Sequence, residues 1–314
     1  MLEVEMKDQI NIVVVGSINT DLTTYLDAFP KQNETVMARN YETAFGGKGL
    51  NQAVAAARFG ANVTMIGCIG NDDFGAQALA HLANEGVNCQ HVTVLDDANT
   101  GVATIQVDKD GNNMISVVPG ANRALCAAHI ERAKAVIGAA DIVLTQGEIG
   151  MGAIRRALEL ARELGVRTIL NPAPVREGLR NLIPFASILT PNETETEILG
   201  GVYPSADNTA SALAGLYELG AQEIVITCGG RGSVVATDGS HMAIPAYSVD
   251  AVDTTGAGDV FNGVLAVGVA SGLDLGRAAR QASAAAAISV TRKTANAAPS
   301  RLETQCFIDE ADHG

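Results

Sequence analysis

Four predicted helices in this 314-residue chain each end at a glycine that precedes an apolar segment, and this recurring pattern restricts the fold more than any other feature. The helical patterns run over residues 52–59, 74–85, 152–164 and 209–219, and the closing glycines are Gly60, Gly86, Gly165 and Gly220. Glycine adopts the left-handed backbone that ends a helix without strain. Short apolar runs follow within a few residues, as expected for helices that alternate with buried strands. The pattern predicts a parallel β-sheet with helices on both faces.

The predicted strands are short apolar runs, which are typical of a sheet covered on both faces. They comprise residues 12–15, 63–66, 142–144, 168–170, 188–189 and 224–226. Two regions depart from the alternation. Residues 21–41 have scattered β-formers and no helical pattern, and residues 102–118 alternate around Asp110-Gly111 as a β-hairpin does. We expect these regions to form a small β-sheet that stands off the main domain.

The composition excludes several classes of protein. Because 47% of the residues are hydrophobic and 18% are charged, the chain is globular rather than disordered. A net charge of −14 argues against nucleic acid or an anionic membrane as a partner. The chain has no long apolar run and no signal-peptide pattern, and its five cysteines form no CxxC pair, so we expect a cytoplasmic protein with reduced thiols. The five histidines lack metal-ligand spacing.

The segment 252–263 reads VDTTGAGDVFNG and carries the strongest chemical signal. Its small residues allow a tight turn, and the helical pattern that follows would direct free N–H groups at one spot. The amides around Gly256, Ala257 and Gly258 would then stabilise developing negative charge. Asp259 stands at the helix start, where a carboxylate can take a proton from a hydroxyl group. The alternative reading of GAGD alone is a helix-capping acid after glycines.

A second segment, 45–53, reads FGGKGLNQA. The pair Gly46-Gly47 would let the backbone approach a ligand, and the Asn51 amide can both donate to and accept from hydroxyl groups. A glycine-rich lead into a helix is the alternative. The GxxxxGK[ST] spacing of a Walker-type phosphate loop is absent.

Together the two segments resemble the C-terminal and N-terminal signatures of the ribokinase family of carbohydrate kinases, and the resemblance extends from about residue 12 to 299. It implies one kinase domain over residues 1–314, with a three-layer α/β/α fold and a mainly parallel central sheet. It also implies a β-sheet lid, formed by residues 20–43 and 100–119, that covers the sugar and often makes a dimer contact. The expected partners are a sugar, ATP and a second copy of the chain, with Mg²⁺ as cofactor.

The activity that the resemblance implies is ATP-dependent phosphorylation of D-ribose at O5, with Asp259 as base and the Gly256-Ala257-Gly258 amides as anion hole. The alternatives are a related sugar or nucleoside kinase, with 2-deoxyribose the nearest competing substrate, and a sugar-binding regulator without catalysis. A nicotinamide-dependent oxidoreductase is excluded, since Gly16-Ser17-Ile18 does not continue as GxGxxG.

The resemblance assigns one group of residues to the sugar and the reacting hydroxyl. Asp21 would accept hydrogen bonds from vicinal hydroxyls, Asn19 would fix orientation, and Lys48 would help to neutralise phosphate charge. As alternatives, Asp21 is a turn acid, and Glu148 is a helix N-terminal carboxylate. The full set is Asn19, Asp21, Gly46, Gly47, Lys48, Asn51, Glu148 and Asp259.

A second group is assigned to the nucleotide and its magnesium. Glu195 would act on Mg²⁺ through water, because this ion takes few protein ligands. A capping motif over Asn192 and Glu195 is the alternative, as is a plain turn at the glycines after residue 227. Ser283 stands where the family often has a histidine near the adenine. The nucleotide set is Asn192, Thr227, Gly229, Gly230, Arg231, Gly232, Gly258 and Ser283.

A third group resembles the family's monovalent-cation loop, which implies K⁺ as a further cofactor. It comprises Asp253, Thr255, Ser289, Arg292, Thr294 and Ala298. Thr294 replaces a glycine of the family pattern and Ala298 replaces a serine. Such a site uses mainly backbone carbonyls, so side-chain changes need not abolish it.

Overall fold

The chain forms two β-sheets, as seen in a computed structural model that describes residues 9–293 and 297–313. The large sheet has nine strands in the order β13-β12-β11-β10-β9-β8-β1-β4-β5. Seven of them, from β11 to β5, run parallel, and β12 and β13 continue the sheet antiparallel. The strands are β1 (Asn11–Val15), β4 (Asn62–Gly70), β5 (Asn88–Leu95), β8 (Ile142–Gln146), β9 (Arg167–Asn171), β10 (Ile188–Leu189), β11 (Glu223–Thr227), β12 (Ser233–Thr237) and β13 (Ser240–Ile244).

The small sheet has four strands in the order β3-β2-β6-β7. They are β2 (Asn19–Tyr25), β3 (Asn40–Gly46), β6 (Gly101–Val107) and β7 (Asn113–Val118). The predicted hairpin is present, since β6 and β7 pair antiparallel on either side of Asp110-Gly111. Residues 26–39, which fall inside the other predicted β region, form no strand and connect β2 to β3.

Helices cover both faces of the large sheet, which confirms the predicted three-layer architecture. On the interior strand β1, Ile12 and Val14 pack into one core and Val13 and Val15 into the other. The first core includes α1 (Lys48–Arg58), α2 (Asp73–Asn84), α8 (Ala257–Ala270) and α9 (Leu275–Val290). The second includes α3 (Ala127–Arg132), α4 (Lys134–Gly138), α5 (Met151–Glu163), α6 (Glu193–Gly200) and α7 (Thr209–Glu218). A last helix, α10 (Arg301–His313), is joined to α9 by an ion pair between Arg280 and Asp312.

The six predicted strands and four predicted helices are found within a few residues of their expected bounds. The four closing glycines all have positive φ, between 74° and 96°. Helix α1 begins four residues early, at Lys48 rather than Gln52, because Gly47 leaves β3 at a φ of 88° and starts the helix at once. Within residues 9–293 and 297–313, no helix has the length and apolar character needed to cross a membrane.

At Gly263, helix α8 lies directly against the backbone of α1. A methyl group added at this position would stand 2.7 Å from both Cβ of Ala55 and the main-chain oxygen of Gln52. Because the two helices meet backbone to backbone here, we expect Gly263→Ala to lower the free energy of unfolding by about 1–3 kcal/mol, the usual cost of overpacking. Urea denaturation followed by circular dichroism measures the effect.

Gly152→Ala in α5 is the matched control, because nothing lies within 4 Å of the added methyl group. It should raise the free energy of unfolding by about 0.5–1 kcal/mol, since alanine favours helix over glycine. Equal stability of the Gly263→Ala and parent proteins would mean that α1 and α8 separate at no cost.

Candidate active site

Polar side chains collect at the carboxyl ends of the parallel strands, beside the N-termini of α1 and α8. This is the edge at which open α/β sheets bind ligands. A cavity of about 670 Å³ opens there. Its walls include the ends of β9 and β11, the starts of α6 and α8, and the last turns of α9.

Asp259 is buried in the first turn of α8, where two amides hold its carboxylate. Asn51 donates through Nδ2 to Oδ2 at 3.0 Å, and Gln52 donates through Nε2 to Oδ1 at 2.9 Å. Both donors lie in the first turns of α1, so the two helix starts face each other across this carboxylate. The Oδ1 atom of Asn51 is buried and has no partner among the described residues, which leaves an acceptor free for a ligand.

The turn before Asp259 has the conformation that its glycines predict. Gly256 caps α8 with a φ of 77°. The N–H groups of Ala257 and Asp259 donate to Thr254 and Gly256 carbonyls at 3.3 and 2.9 Å. The N–H of Gly258 has no such partner within the described part of the chain, and Gly258 lines the cavity. The N–H of Gly256 likewise has no partner among the described residues, so two amides of the predicted anion hole are free, and that of Ala257 makes only a long hydrogen bond.

The residues predicted to contact a sugar form one connected group. Asn19 pairs with Gly46 in the small sheet, and the Asp21 carboxylate lies so close to Gly46 that a Cβ atom there would displace it. Glu148 follows β8 and accepts hydrogen bonds from Ser17 Oγ at 2.5 Å and from the Lys48 N–H at 3.1 Å. The loop after β1, the small sheet, α1 and the end of β8 thus meet at one place.

Three carboxylates, those of Asp21, Glu148 and Asp259, share this region, and the charges of the other two act on Asp21. Burial, together with the negative charges of Glu148 and Asp259, raises the pKa of Asp21 from 3.8 to about 6. Lys48 compensates in part, since the nearby Asp259 carboxylate raises the pKa of its ammonium group against the opposing effect of burial. Lys48 therefore remains charged at neutral pH, beside the cavity that it lines.

Asn122, which the sequence motifs did not reveal, supports the predicted sugar residue Asn19. It is buried in a short 3₁₀ helix, Gly120–Ala124, and accepts the Ile18 N–H at 2.9 Å. Its Nδ2 donates to the Asn19 side chain at 2.7 Å and to the Ile18 carbonyl at 3.1 Å. These bonds fix the segment that presents Asn19. No local pattern marks Asn122, because its partners lie more than 100 residues earlier in the chain.

The cavity walls hold seven of the eight predicted nucleotide residues, namely Asn192, Thr227, Gly229, Gly230, Gly232, Gly258 and Ser283. Arg231 is the exception and does not line the cavity. Its guanidinium forms an ion pair with Glu193 and donates to the Pro204 carbonyl at 3.0 Å, which directs it along the surface. Lys48 and Asp259 also line the cavity and connect it to the carboxylate group described above.

Asn192 and Glu195 form a reciprocal capping box at the start of α6. The Glu195 N–H donates to Asn192 Oδ1 at 2.8 Å, and the Asn192 N–H donates to Glu195 Oε2 at 2.9 Å. The capping alternative is therefore realised. Glu195 also lines the cavity, and burial raises the pKa of its carboxyl group. No cluster of three or more His, Cys, Asp or Glu residues suited to a metal occurs in the described residues, so Glu195 is a single carboxylate.

The predicted cation loop lies where residues 252–255 pass the C-terminal end of α9. The N–H groups of Val252 and Asp253 both donate to the Val290 carbonyl, at 2.7 and 3.1 Å, and Asp253 Oδ1 accepts the Thr255 N–H at 2.9 Å. The Ser289 carbonyl accepts the Arg292 N–H. The Ala298 carbonyl accepts from Arg58 at 3.3 Å. Thr294 lies outside the described residues.

Comparison with known proteins gives consistent results over nearly the whole chain. The family model described as pfkB family carbohydrate kinase matches residues 9–301. The ribokinase of Haemophilus influenzae is 39% identical over 302 residues, which covers 96% of this chain and 99% of the relative. A deoxyribokinase of Salmonella typhi is 35% identical over 285 residues, covering 90% of this chain and 93% of the relative.

A solved structure has the same architecture. The ribokinase of Arabidopsis thaliana complexed with ribose and ATP superposes with a TM-score of 0.90 at 30% identity. The match covers 96% of this chain and 99% of the plant protein.

Proposed function

Because the chain belongs to the pfkB family of carbohydrate kinases, we propose that it transfers the terminal phosphoryl group of ATP to O5 of D-ribose, giving D-ribose 5-phosphate and ADP. The observation that carries the proposal is the place of Asp259. This buried carboxylate lies at a helix N-terminus, between the connected group around Asp21, Asn51 and Glu148 and the cavity that holds the predicted nucleotide residues. A base at that junction can act on a sugar hydroxyl that faces a phosphate.

In the proposed mechanism, Asp259 accepts the proton of the sugar 5-hydroxyl as O5 attacks the terminal phosphorus of ATP. The free amide of Gly258 and the amide of Ala257 donate to the phosphoryl oxygens, and Lys48 supplies a positive charge beside them. Asp21 accepts hydrogen bonds from ring hydroxyls, and Asn19, held by Asn122, fixes the orientation of the sugar. Positioning and electrostatics account for the rate.

Glu195 has the properties of a magnesium partner. One carboxylate oxygen is engaged by the Asn192 N–H, and its other oxygen carries no bond to the described residues. A single hard oxygen ligand beside a phosphate site is what Mg²⁺ uses when it keeps most of its waters. When bound with ATP, the ion neutralises charge on the phosphates. We propose that Glu195 holds it through water.

The test is an ADP-release assay with ATP and a panel of sugars. We expect D-ribose to give the highest kcat/KM and 2-deoxyribose to be the runner-up, because the relatives include both ribokinases and a deoxyribokinase. A nucleoside as the best substrate would move the assignment to another kinase of the family. Ribose binding without ADP release would identify a regulator instead.

Potassium activation is a further expectation, based on the loop that Asp253 forms beside Val290. We propose that K⁺ orders this loop and so the Gly256-Ala257-Gly258 turn that follows it, which raises kcat. The assay compares potassium with sodium chloride at constant ionic strength. Equal rates in both salts would indicate that the changes at Thr294 and Ala298 mark a lost site.

We further propose that the four-stranded sheet closes over the sugar as a lid and forms the contact of a cytoplasmic homodimer. The lid assignment is supported by Asn19 and Asp21, which lie on β2 of this sheet. The dimer is supported by β7, an edge strand exposed along its whole length, with four large apolar side chains at the surface: Met114, Ile115, Val117 and Val118. All five cysteines are free, which agrees with a reducing compartment.

A further inference from the structure

Two fully buried glutamines form a chain of hydrogen bonds that ends on Asp259. Gln146, the last residue of β8, donates through Nε2 to Gln52 Oε1 at 2.7 Å. Gln52, on α1, donates through Nε2 to Asp259 Oδ1 at 2.9 Å and to Asn171 Oδ1 at 3.2 Å. Neither glutamine side chain is accessible to solvent. The central sheet is thus connected to the proposed base by two amides in series.

The direction of each amide in this chain is fixed by chemistry. An ionised carboxylate only accepts hydrogen bonds, so the Gln52 atom that faces Asp259 must be its NH₂ group. The Gln52 carbonyl oxygen then faces Gln146, which must present its own NH₂ group. If Gln52 turned over, its carbonyl oxygen would lie against the carboxylate, and two NH₂ groups would meet. Gln146 therefore supports, together with Asn171, the orientation in which the NH₂ group of Gln52 reaches Asp259.

We propose that Gln146 is a positioning residue that acts through Gln52 to hold the Asp259 carboxylate in its reactive orientation. The inference rests on the proposed function, in which Asp259 takes the sugar proton. Gln52 binds Oδ1, and Asn51 binds Oδ2 from the neighbouring position on α1. These two bonds prevent rotation of the carboxylate. Gln146 does not line the cavity, and within the described residues its side chain makes no hydrogen bond to the proposed sugar residues Asp21 and Asn51, so we expect it to act on the rate and not on binding.

The experiment uses Gln146→Met, which keeps the length of the side chain and removes both polar groups. We expect kcat with ribose to fall about 10- to 100-fold, because Gln52 loses the donor to its Oε1 and is then held only through its NH₂ group, by Asn171 and Asp259, which loosens the carboxylate. The KM values for ribose and ATP should stay within about twofold of the parent, since the residues that would bind them are untouched. A general structural defect would raise KM together with the loss in kcat.

Thr145→Val is the matched control. Thr145 precedes Gln146 in β8, is equally buried, and its hydroxyl has no partner within the described residues. Its replacement should leave kcat unchanged, although it alters a buried polar group on the same strand. A loss in kcat equal to that of Gln146→Met would assign the effect to packing of β8 and overturn the proposal.

A double-mutant cycle tests the route through Gln52. We expect Gln146→Met to change kcat less than about twofold when Gln52 is already Met, because the bond it supports is gone. Fully additive losses would mean that Gln146 acts independently of Gln52. If Gln146→Met does not fold, Gln146→Glu replaces it in the experiment. A carboxylate at position 146 accepts the NH₂ group of Gln52, so the carbonyl oxygen of Gln52 turns toward Asp259. This variant should lower kcat at least as much.

The proposed function is tested separately by the parent protein and by Asp259→Asn. If the parent phosphorylates ribose and Asp259→Asn does not, while Gln146→Met retains the parent kcat, only the positioning role fails. If Asp259→Asn retains turnover, the proposed base is wrong, whatever Gln146 does.

Discussion

Replacement of Asp259 by asparagine is expected to lower kcat for ribose phosphorylation by about 10²–10⁴-fold, the usual contribution of a positioned general base. The side chain keeps its size but cannot accept the hydroxyl proton. The new NH₂ group must also face one of the two NH₂ donors that now bind the carboxylate, Asn51 or Gln52. Because of this unfavourable contact, we also expect the free energy of unfolding to fall by about 1–3 kcal/mol.

The measurement combines steady-state ADP release with ribose binding by calorimetry, so that turnover and affinity are separated. Ribose binding should persist, since Asn19, Asp21 and Glu148 are unchanged. Asp274→Asn is the matched control, because Asp274 also stands at a helix start, where it accepts the Arg277 N–H at 2.9 Å, and it does not line the cavity. Turnover by Asp259→Asn at the rate of this control would remove Asp259 from the mechanism.

Asp21→Asn is expected to have opposite effects on affinity and stability. Two charge-assisted hydrogen bonds to sugar hydroxyls would be weakened, so KM for ribose should rise about 10- to 100-fold with a smaller change in kcat. The folded protein should become more stable at neutral pH. Burial and the neighbouring carboxylates raise the pKa of Asp21 from 3.8 to about 6, so its ionisation above that pH opposes folding. Removing that charge should add about 1–3 kcal/mol to the free energy of unfolding.

The pH dependence distinguishes this cause from a general effect of the substitution. Because the pKa is higher in the folded than in the unfolded state, stability from Asp21 is fully present below pH 3.8 and is lost as the pH rises through 6. The difference in Tm between Asp21→Asn and the parent should therefore be largest at pH 7 and shrink toward pH 4. A constant difference across this range would contradict the assignment.

Much of the fold could be predicted because its signals are local. A helix that ends at Gly165 or Gly220 and an apolar strand after it are visible within twenty residues of sequence. Strand β13 was not predicted, since four of its five residues are exposed and carry no burial pattern. Strand β5 was missed for a similar reason, because none of its residues is fully buried.

The site shows the same division between local and distant causes. The segments 45–53 and 252–263 could be identified because each holds its glycines and its reactive residues together. Asn122 and Gln146 could not, since the hydrogen bonds that give them a role connect residues about 100 positions apart. Arg231 was predicted to face the nucleotide because it stands in the glycine loop after β11. Its pairing with Glu193 could not be predicted, since Glu193 lies 38 residues earlier in the chain.

The contact between α1 and α8 has a consequence for how the protein is made. Asn51 and Asp259 are 208 residues apart, and α8 covers the apolar side of α1 that includes Ala55. During synthesis α1 leaves the ribosome long before α8 exists, so this surface stays uncovered for most of translation. The nascent chain must avoid aggregation during that time. A chain released from a ribosome that stalled before residue 257 would contain the proposed sugar residues but lack the proposed base, Asp259.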